Sequence, residues 1–453
     1  MRIHPLPFVP GLALAAVLAL TSGPSAPARA DWLQPDPSFR EAQLTLRLAV
    51  RDTVGQPLTV PRLDSLAVAH LRLGDLDEAQ RLFTRVVALA PADETAAAGL
   101  GKLALFRGSP ALAESLLAPV AGRVEGAAED LLDARLRLGH WEAAAALAEE
   151  AGQTGRASLL RRLAEPAGAW TIQGAGTIQI PWIRCWPVPI VKAKLNGQNV
   201  LLAIDTGVAD LILDPSAARL CGVTLMPEQM PVLWNGERVA ARVALVERIE
   251  LGGLRIGRIP AAATSLRRWS LEANPDGEHV AGVIGLNLLS RFTPTLDYHK
   301  CALVLRPAGA PVTADAAAMR IPFELRGERE LTVYGSLNGG RRMAMVLQTG
   351  MPGCGVGAPP EVFEEVGVQQ SGAIASAIRS AGSRLRTNSW AGVRVATVAV
   401  GPLVKDKVAG WSGALASAEL WRHGVRRDAL LSSDFLGGRS VTIDWEKQEL
   451  VIE

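Results

Sequence analysis

Leu201-Leu202-Ala203-Ile204-Asp205-Thr206-Gly207-Val208-Ala209-Asp210 is the stretch on which the fold turns. Four apolar residues in a row suit a strand buried on both faces. The Asp-Thr-Gly that follows ends the strand, and Gly207 lets the chain turn so that the Asp205 carboxylate faces a cleft. A second stretch, Met345-Val346-Leu347-Gln348-Thr349-Gly350, repeats this pattern with Gln where the first has Asp.

Working outward, the two stretches belong to two similar halves. Thr295-Leu296-Asp297-Tyr298-His299-Lys300 and Leu303-Val304-Leu305 align without gaps onto Thr442-Ile443-Asp444-Trp445-Glu446-Lys447 and Leu450-Val451-Ile452, 147 residues later. At the same offset Val283-Ile284-Gly285 meets Leu430-Leu431-Ser432, and Leu288-Leu289 meets Phe435-Leu436. Asp205 and Gln348 are 143 apart, which needs only small loop changes. Short β-branched runs broken by Asn196-Gly197, Asn235-Gly236, Gly252-Gly253 and Asn338-Gly339 predict an all-β region. We read two duplicated β-barrel lobes, 181–306 and 320–453, joined by a Pro- and Ala-rich linker over 307–319.

The amino-terminal part has another texture. Residues 58–152 are rich in Ala and Leu. Leu73-Gly74-Asp75 with Ala79, Phe83 and Pro91 recurs 34 residues later as Arg107-Gly108-Ser109 with Ala113 and Leu117. A shortened third copy has Leu138-Gly139-His140-Trp141 and Ala144. This pattern resembles tetratricopeptide repeats, which implies stacked helix pairs with a docking surface for a protein partner and a core of their own. Residues 153–180 thin into Gly, Thr and Pro and read as a linker. The predicted fold class is therefore multidomain: helical repeats followed by two β lobes.

Residues 1–30 read as a secretory signal: Arg2, an apolar run from Val9 to Leu20, and Ala28-Arg29-Ala30 as the cleavage site. Residues 31–57 form an amino-terminal segment. The expected mature protein is exported, periplasmic or secreted, with no integral membrane segment. Net charge is +2, and removal of Arg2 and Arg29 brings it to 2 − 2 = 0, which excludes nucleic acid as an expected partner. The six His residues are scattered and make no metal cluster; Gly353-Cys354-Gly355-Val356-Gly357 lacks the Lys of a phosphate loop. No metal or cofactor is expected. Cys185, Cys221, Cys301 and Cys354 allow three full pairings, with buried free thiols as the other reading.

With these motifs in place, residues 180–453 resemble the retropepsin-like and pepsin-like aspartic peptidases. The resemblance implies that Asp205 is catalytic, supported by Thr206 and Gly207, and acts on a peptide or protein substrate. Val283-Ile284-Gly285 then crosses behind that turn, and the hairpin Trp234-Asn235-Gly236 is a flexible flap over the cleft. Gln348, Thr349 and Gly350 stand in the place of the second motif, and Ser432 replaces the family glycine. Such enzymes need two carboxylates about 3 Å apart sharing one proton, and an amide cannot titrate. Three arrangements follow: a homodimer pairing Asp205 with Asp205, a pseudopeptidase that keeps the cleft for binding, or a partner acid such as Asp434. Asp297 and Asp444 are expected in turns, and Asp210 and Asp214 as caps.

Overall fold

Apolar residues at three- and four-residue spacing build the helical layer. Leu76, Ala79, Leu82, Phe83 and Val86 lie on one face of their helix, and all five are buried. The computed structural model of the 453-residue chain describes residues 44, 48 and 59–453, apart from 235–236, 276, 328, 369–389 and 416–418. The signal-like residues 1–30 lie outside the described residues, as does the 31–57 segment except residues 44 and 48. Among the described residues, no helix is long and apolar enough to cross a membrane.

Three helix pairs come first: α1 (Val60–Leu73) with α2 (Leu76–Leu89), α3 (Glu94–Phe106) with α4 (Pro110–Leu117), and α5 (Ala127–Leu138) with α6 (Trp141–Glu150). Each pair turns at a glycine in the left-handed region, Gly74, Gly108 or Gly139, where a side chain would be strained. A seventh helix, α7 (Thr154–Ala164), follows, with strands at Thr171–Gln173 and Ile178–Arg184. Residues 153–180, read as a linker, are thus structured. Leu159, Leu160 and Leu163 give α7 an apolar face, which lies buried.

The helices have buried clusters of their own, such as Leu105, Leu117 and Leu131, yet they also pack on the lobes. Ala144, Ala148, Leu160 and Leu163 share one buried cluster with Leu201, Val243, Trp234 and Trp269 of the first lobe. Arg137 donates to the carbonyls of Leu325 and Gly327 in the second lobe. Gln448 donates to the carbonyl of Phe106, and the Arg426 N–H to that of Arg72. The helices therefore contact both lobes.

The two lobes use matching strand pairings. In the first, Gln198–Ile204 runs parallel to Val280–Ile284, and Leu211–Leu213 runs parallel to Leu254–Ala263. In the second, Met343–Leu347 runs parallel to Ala429–Leu431, and Val356–Ala358 parallel to Leu403–Ser412. Below both lies a shared stretch of sheet in the order Ile178–Arg184, Ala302–Pro307, Phe292–Asp297, Ser440–Asp444, Glu449–Ile452, Met319–Pro322. At its centre Thr295 pairs with Thr442, the residue 147 positions later, and their hydroxyls are 2.6 Å apart.

Cys185 and Cys301 form a disulfide that ties the strand Ile178–Arg184 to the turn after Phe292–Asp297. Cys221 and Cys354 are free and buried. None of the three full pairings forms; the outcome is one bridge and two buried thiols. Asp297 accepts the N–H groups of His299 and Lys300, and Asp444 that of Lys447, so both sit in turns.

Candidate active site

The buried strand Gln198–Ile204 ends at Asp205, whose N–H donates to the carbonyl of Ile284 on the crossing strand. The strand Met343–Leu347 ends at Gln348, whose N–H donates to Leu431 in the same way. The two turns meet face to face. The Thr206 N–H donates to Thr349 Oγ1 (3.0 Å), and the Thr349 N–H to Thr206 Oγ1 (3.2 Å). Thr206 Oγ1 donates to the carbonyl of Leu347, and Thr349 Oγ1 to that of Ile204.

The glycines complete the pairing by their lack of a side chain. A Cβ on Gly350 would lie 2.2 Å from Asp205 Oδ2, and one on Gly207 would lie 2.3 Å from Gln348 Cγ. Each glycine therefore seats the functional side chain of the opposite turn. The chain's own second lobe thus faces Asp205 through Gly350.

Asp205 Oδ1 accepts two backbone N–H groups, from Gly207 (2.7 Å) and Gly350 (2.8 Å). Burial raises its pKa to about 6, against the lowering pull of those two amides. Gln348 is buried, and its carboxamide makes no hydrogen bond to any described residue, which leaves its two donors without an acceptor there. Asp434 is likewise raised by burial to about 6, partly offset by a hydrogen bond from Trp186 and by Lys405. No hydrogen bond among the described residues joins it to Asp205. Both carboxylates act on the buried Tyr298 hydroxyl, whose pKa burial has already raised.

Ser432 sits where the first lobe has Gly285. A Cβ on Gly285 would meet the carbonyls of Ala209 and Asp210 at 2.5 Å. Ser432 is tolerated because the turn after Gly350 follows another course, and its hydroxyl donates to the carbonyl of Met351.

Asp214 caps its helix by accepting from Ser216 N–H and also accepts from Leu266 N–H. Asp210 accepts instead from Asn287 Nδ2 at 2.7 Å.

The flap hairpin is Thr224–Trp234 paired with Glu237–Leu251. Its tip, Asn235-Gly236, lies outside the described residues. Trp234 was expected to be mobile; it is only 8% exposed and packs edge-on against Trp269, ring centroids 5.1 Å apart. An indole with a neighbouring ring gains more from this burial than from facing water. Trp269 Nε1 donates to the carbonyl of Gly350, so the pair roofs the second turn. Helix α7 braces the hairpin from behind, since a Cβ on Gly155 would lie 2.5 Å from the Gln229 carbonyl. Sequence reasoning missed Trp269, which sits in a short helix with no motif around it.

A cleft runs beside Thr206 and Gly207 and is lined further along by Asp210, Arg329, Glu330 and His423. Among the described residues no group of three or more His, Cys, Asp or Glu could hold a metal.

With this geometry in place, comparisons with known proteins give a partial match. Residues 191–288 match the family described as "Aspartyl protease". A curated relative, DNA damage-inducible protein 1 of Chaetomium globosum, is 24% identical over 143 residues, 29% of this chain and 30% of that protein. The chain thus spans under a third of that relative's length. Among solved structures, a retropepsin-like aspartic protease from Rickettsia conorii is 22% identical, with a TM-score of 0.23, covering 30% of this chain and 95% of that one. Basic 7S globulin from soybean is 12% identical, with a TM-score of 0.37, covering 63% of this chain and 95% of that one. Over residues 191–288 the chain is similar to the aspartyl proteases, and Asp205-Thr206-Gly207 lies within the matched stretch.

Proposed function

We propose that this protein hydrolyses peptide bonds with one carboxylate and one carboxamide in place of the usual two acids. The observation that carries this reading is the seating of Asp205 and Gln348 on each other's glycine, Gly350 and Gly207. Asp205, ionised above about pH 6, takes a proton from the attacking water. The Gln348 amide donates to the carbonyl oxygen as it gains negative charge, the task of the protonated acid in a two-carboxylate site. An amide holds charge less well than an acid that can give up its proton, so turnover is slow.

Asp205→Asn should lower cleavage of unfolded protein substrates by about 10²–10⁴-fold, and Gln348→Asp should raise it by creating a dyad with coupled titration. Equal activity of wild type and Asp205→Asn would overturn the assignment. The carboxamide at 348 also favours a second reading, a cleft that binds peptides without turnover; that protein would bind peptides and cleave none at any pH from 3 to 9.

The two lobes are read as duplicates, which the pairing of Thr295 with Thr442 supports, and the helices as tetratricopeptide-like. Export with cleavage before Asp31 belongs to the same reading. The intact mass of protein recovered from the producing cell's exterior tests it, since a mass that includes residues 1–30 would exclude cleavage.

A further inference from the structure

Two guanidinium groups in a cavity beside the cleft have no acid within salt-bridge distance among the described residues, although Asp133 acts on Arg329 through space. A small cavity adjoins the cleft next to Thr206 and Gly207, and the two share Asp210 and Arg329. Arg137, Arg156, Arg291 and Arg329 line it against two acids, Asp133 and Asp210, a formal charge of 4 − 2 = +2. Arg137 is fully engaged: it pairs with Asp133 at 2.7 Å and donates to the carbonyls of Leu105 and Gly327.

Arg291 and Arg329 differ from it. Arg291 lies over the Trp170 ring at 4.8 Å, and its buried Nε has no hydrogen-bond partner. Arg329 makes no side-chain hydrogen bond or ion pair to any described residue. Its backbone is held at φ +69, in the left-handed region, which costs free energy for a residue with a side chain. Burial lowers Arg291 to about 10, and burial with the like charges of Arg137 and Arg291, opposed in part by Asp133, lowers Arg329 to about 9. Both stay cationic at neutral pH. A half-buried cation without a partner is costly, and a planar carboxylate is the anion whose two oxygens suit a guanidinium fork.

We propose that this cavity is a specificity subsite for a carboxylate of the bound peptide, accepted by Arg291 and Arg329. The proposal rests on the reading of the cleft as a peptide site. The far wall is made by Arg137 of α5, Trp141 of α6 and Leu159, Leu160 and Leu163 of α7. A peptide running from Gly207 into the cavity therefore meets the helical layer and stops. This favours the carboxy-terminal α-carboxylate over an Asp or Glu side chain. It also gives the helices a task at the cleft: they close one end of it.

The test uses the full chain and four octapeptide pools of random sequence. They have a free carboxy terminus or a terminal amide, each with Asp and Glu allowed or replaced by Asn and Gln. Cleavage is read by mass spectrometry, and binding by competition against a fluorescent octapeptide with a free terminus. The expected result is at least tenfold preference for free termini. Arg329→Gln and Arg291→Gln should each remove about tenfold of that preference, read as the ratio of free-terminus to amidated peptide. A preference that follows Asp and Glu instead would assign the site to acidic side chains. Equal handling of all four pools by the wild-type protein would overturn the proposal without needing any variant. Binding preference without cleavage would keep this subsite and defeat the peptidase reading, so the two failures separate.

Discussion

Thr206 and Thr349, 143 residues apart, exchange backbone-to-hydroxyl hydrogen bonds in both directions and are almost completely buried. Each hydroxyl also donates to a carbonyl of the opposite strand end. Substituting Val at either position keeps the shape and leaves buried groups without partners. Thr206→Val and Thr349→Val should each cost about 1–3 kcal/mol. The pair should cost less than the sum, because both act on one network. Urea unfolding of the singles and the double checks this; strict additivity would mean that the two bonds are independent.

A single carboxylate with a pKa of about 6 gives a one-sided pH profile. Proteolysis should rise as pH increases through about 6 and then level, since only the ionised form accepts a proton from water. Gln348→Asp should convert this into a bell displaced to lower pH, because one of two coupled acids must then keep its proton. A wild-type optimum near pH 4 would contradict the single-carboxylate mechanism.

Gly155 of α7 touches the flap hairpin at the Gln229 carbonyl. Gly155→Ala forces a carbon to within 2.5 Å of that oxygen, so helix and hairpin must separate. We expect a loss of about 1–3 kcal/mol, typical of overpacking, and a fall in kcat/KM as the roof of Trp234 and Trp269 shifts. Gly122→Ala, which meets nothing within 4 Å, serves as the control and should change stability by under about 0.5 kcal/mol.

Glu272 supplies a pH test of stability. Burial raises its carboxyl to about 7, with Arg268 only partly opposing this from 3.8 Å. The folded state therefore holds a proton between about pH 4.5 and 7 that the unfolded chain releases. Its contribution falls as pH rises through that window. Glu272→Gln should raise Tm at pH 8 and leave it nearly unchanged at pH 4.5. A larger gain at the acid end would reverse the assigned sign.

Part of this arrangement was legible in the chain because it is local or repeated. Leu201 to Gly207 spells a buried strand and its turn, and the offset of 147 places Thr295 opposite Thr442. The remainder depends on tertiary packing. Arg291 and Arg329 lie apart in sequence with no shared spacing, and only folding brings them to one cavity, as it brings Trp269 to Gly350. The segment 153–180 misled because its Gly and Pro content hides an eleven-residue helix with Leu159, Leu160 and Leu163 on its buried side. That face has its partner in the flap hairpin, more than sixty residues later, which no local pattern records.

Gly350 reaches Asp205 from 145 residues further along the chain. During synthesis, Asp205 emerges well before the amide that fixes its carboxylate and before the threonine that locks its turn. The strand Phe292–Asp297 likewise waits for Ser440–Asp444 with its edge open. A half-made chain holds the acid without the geometry that would let it act. Arrival of the second lobe and closure of the turn that holds Asp205 are therefore one event.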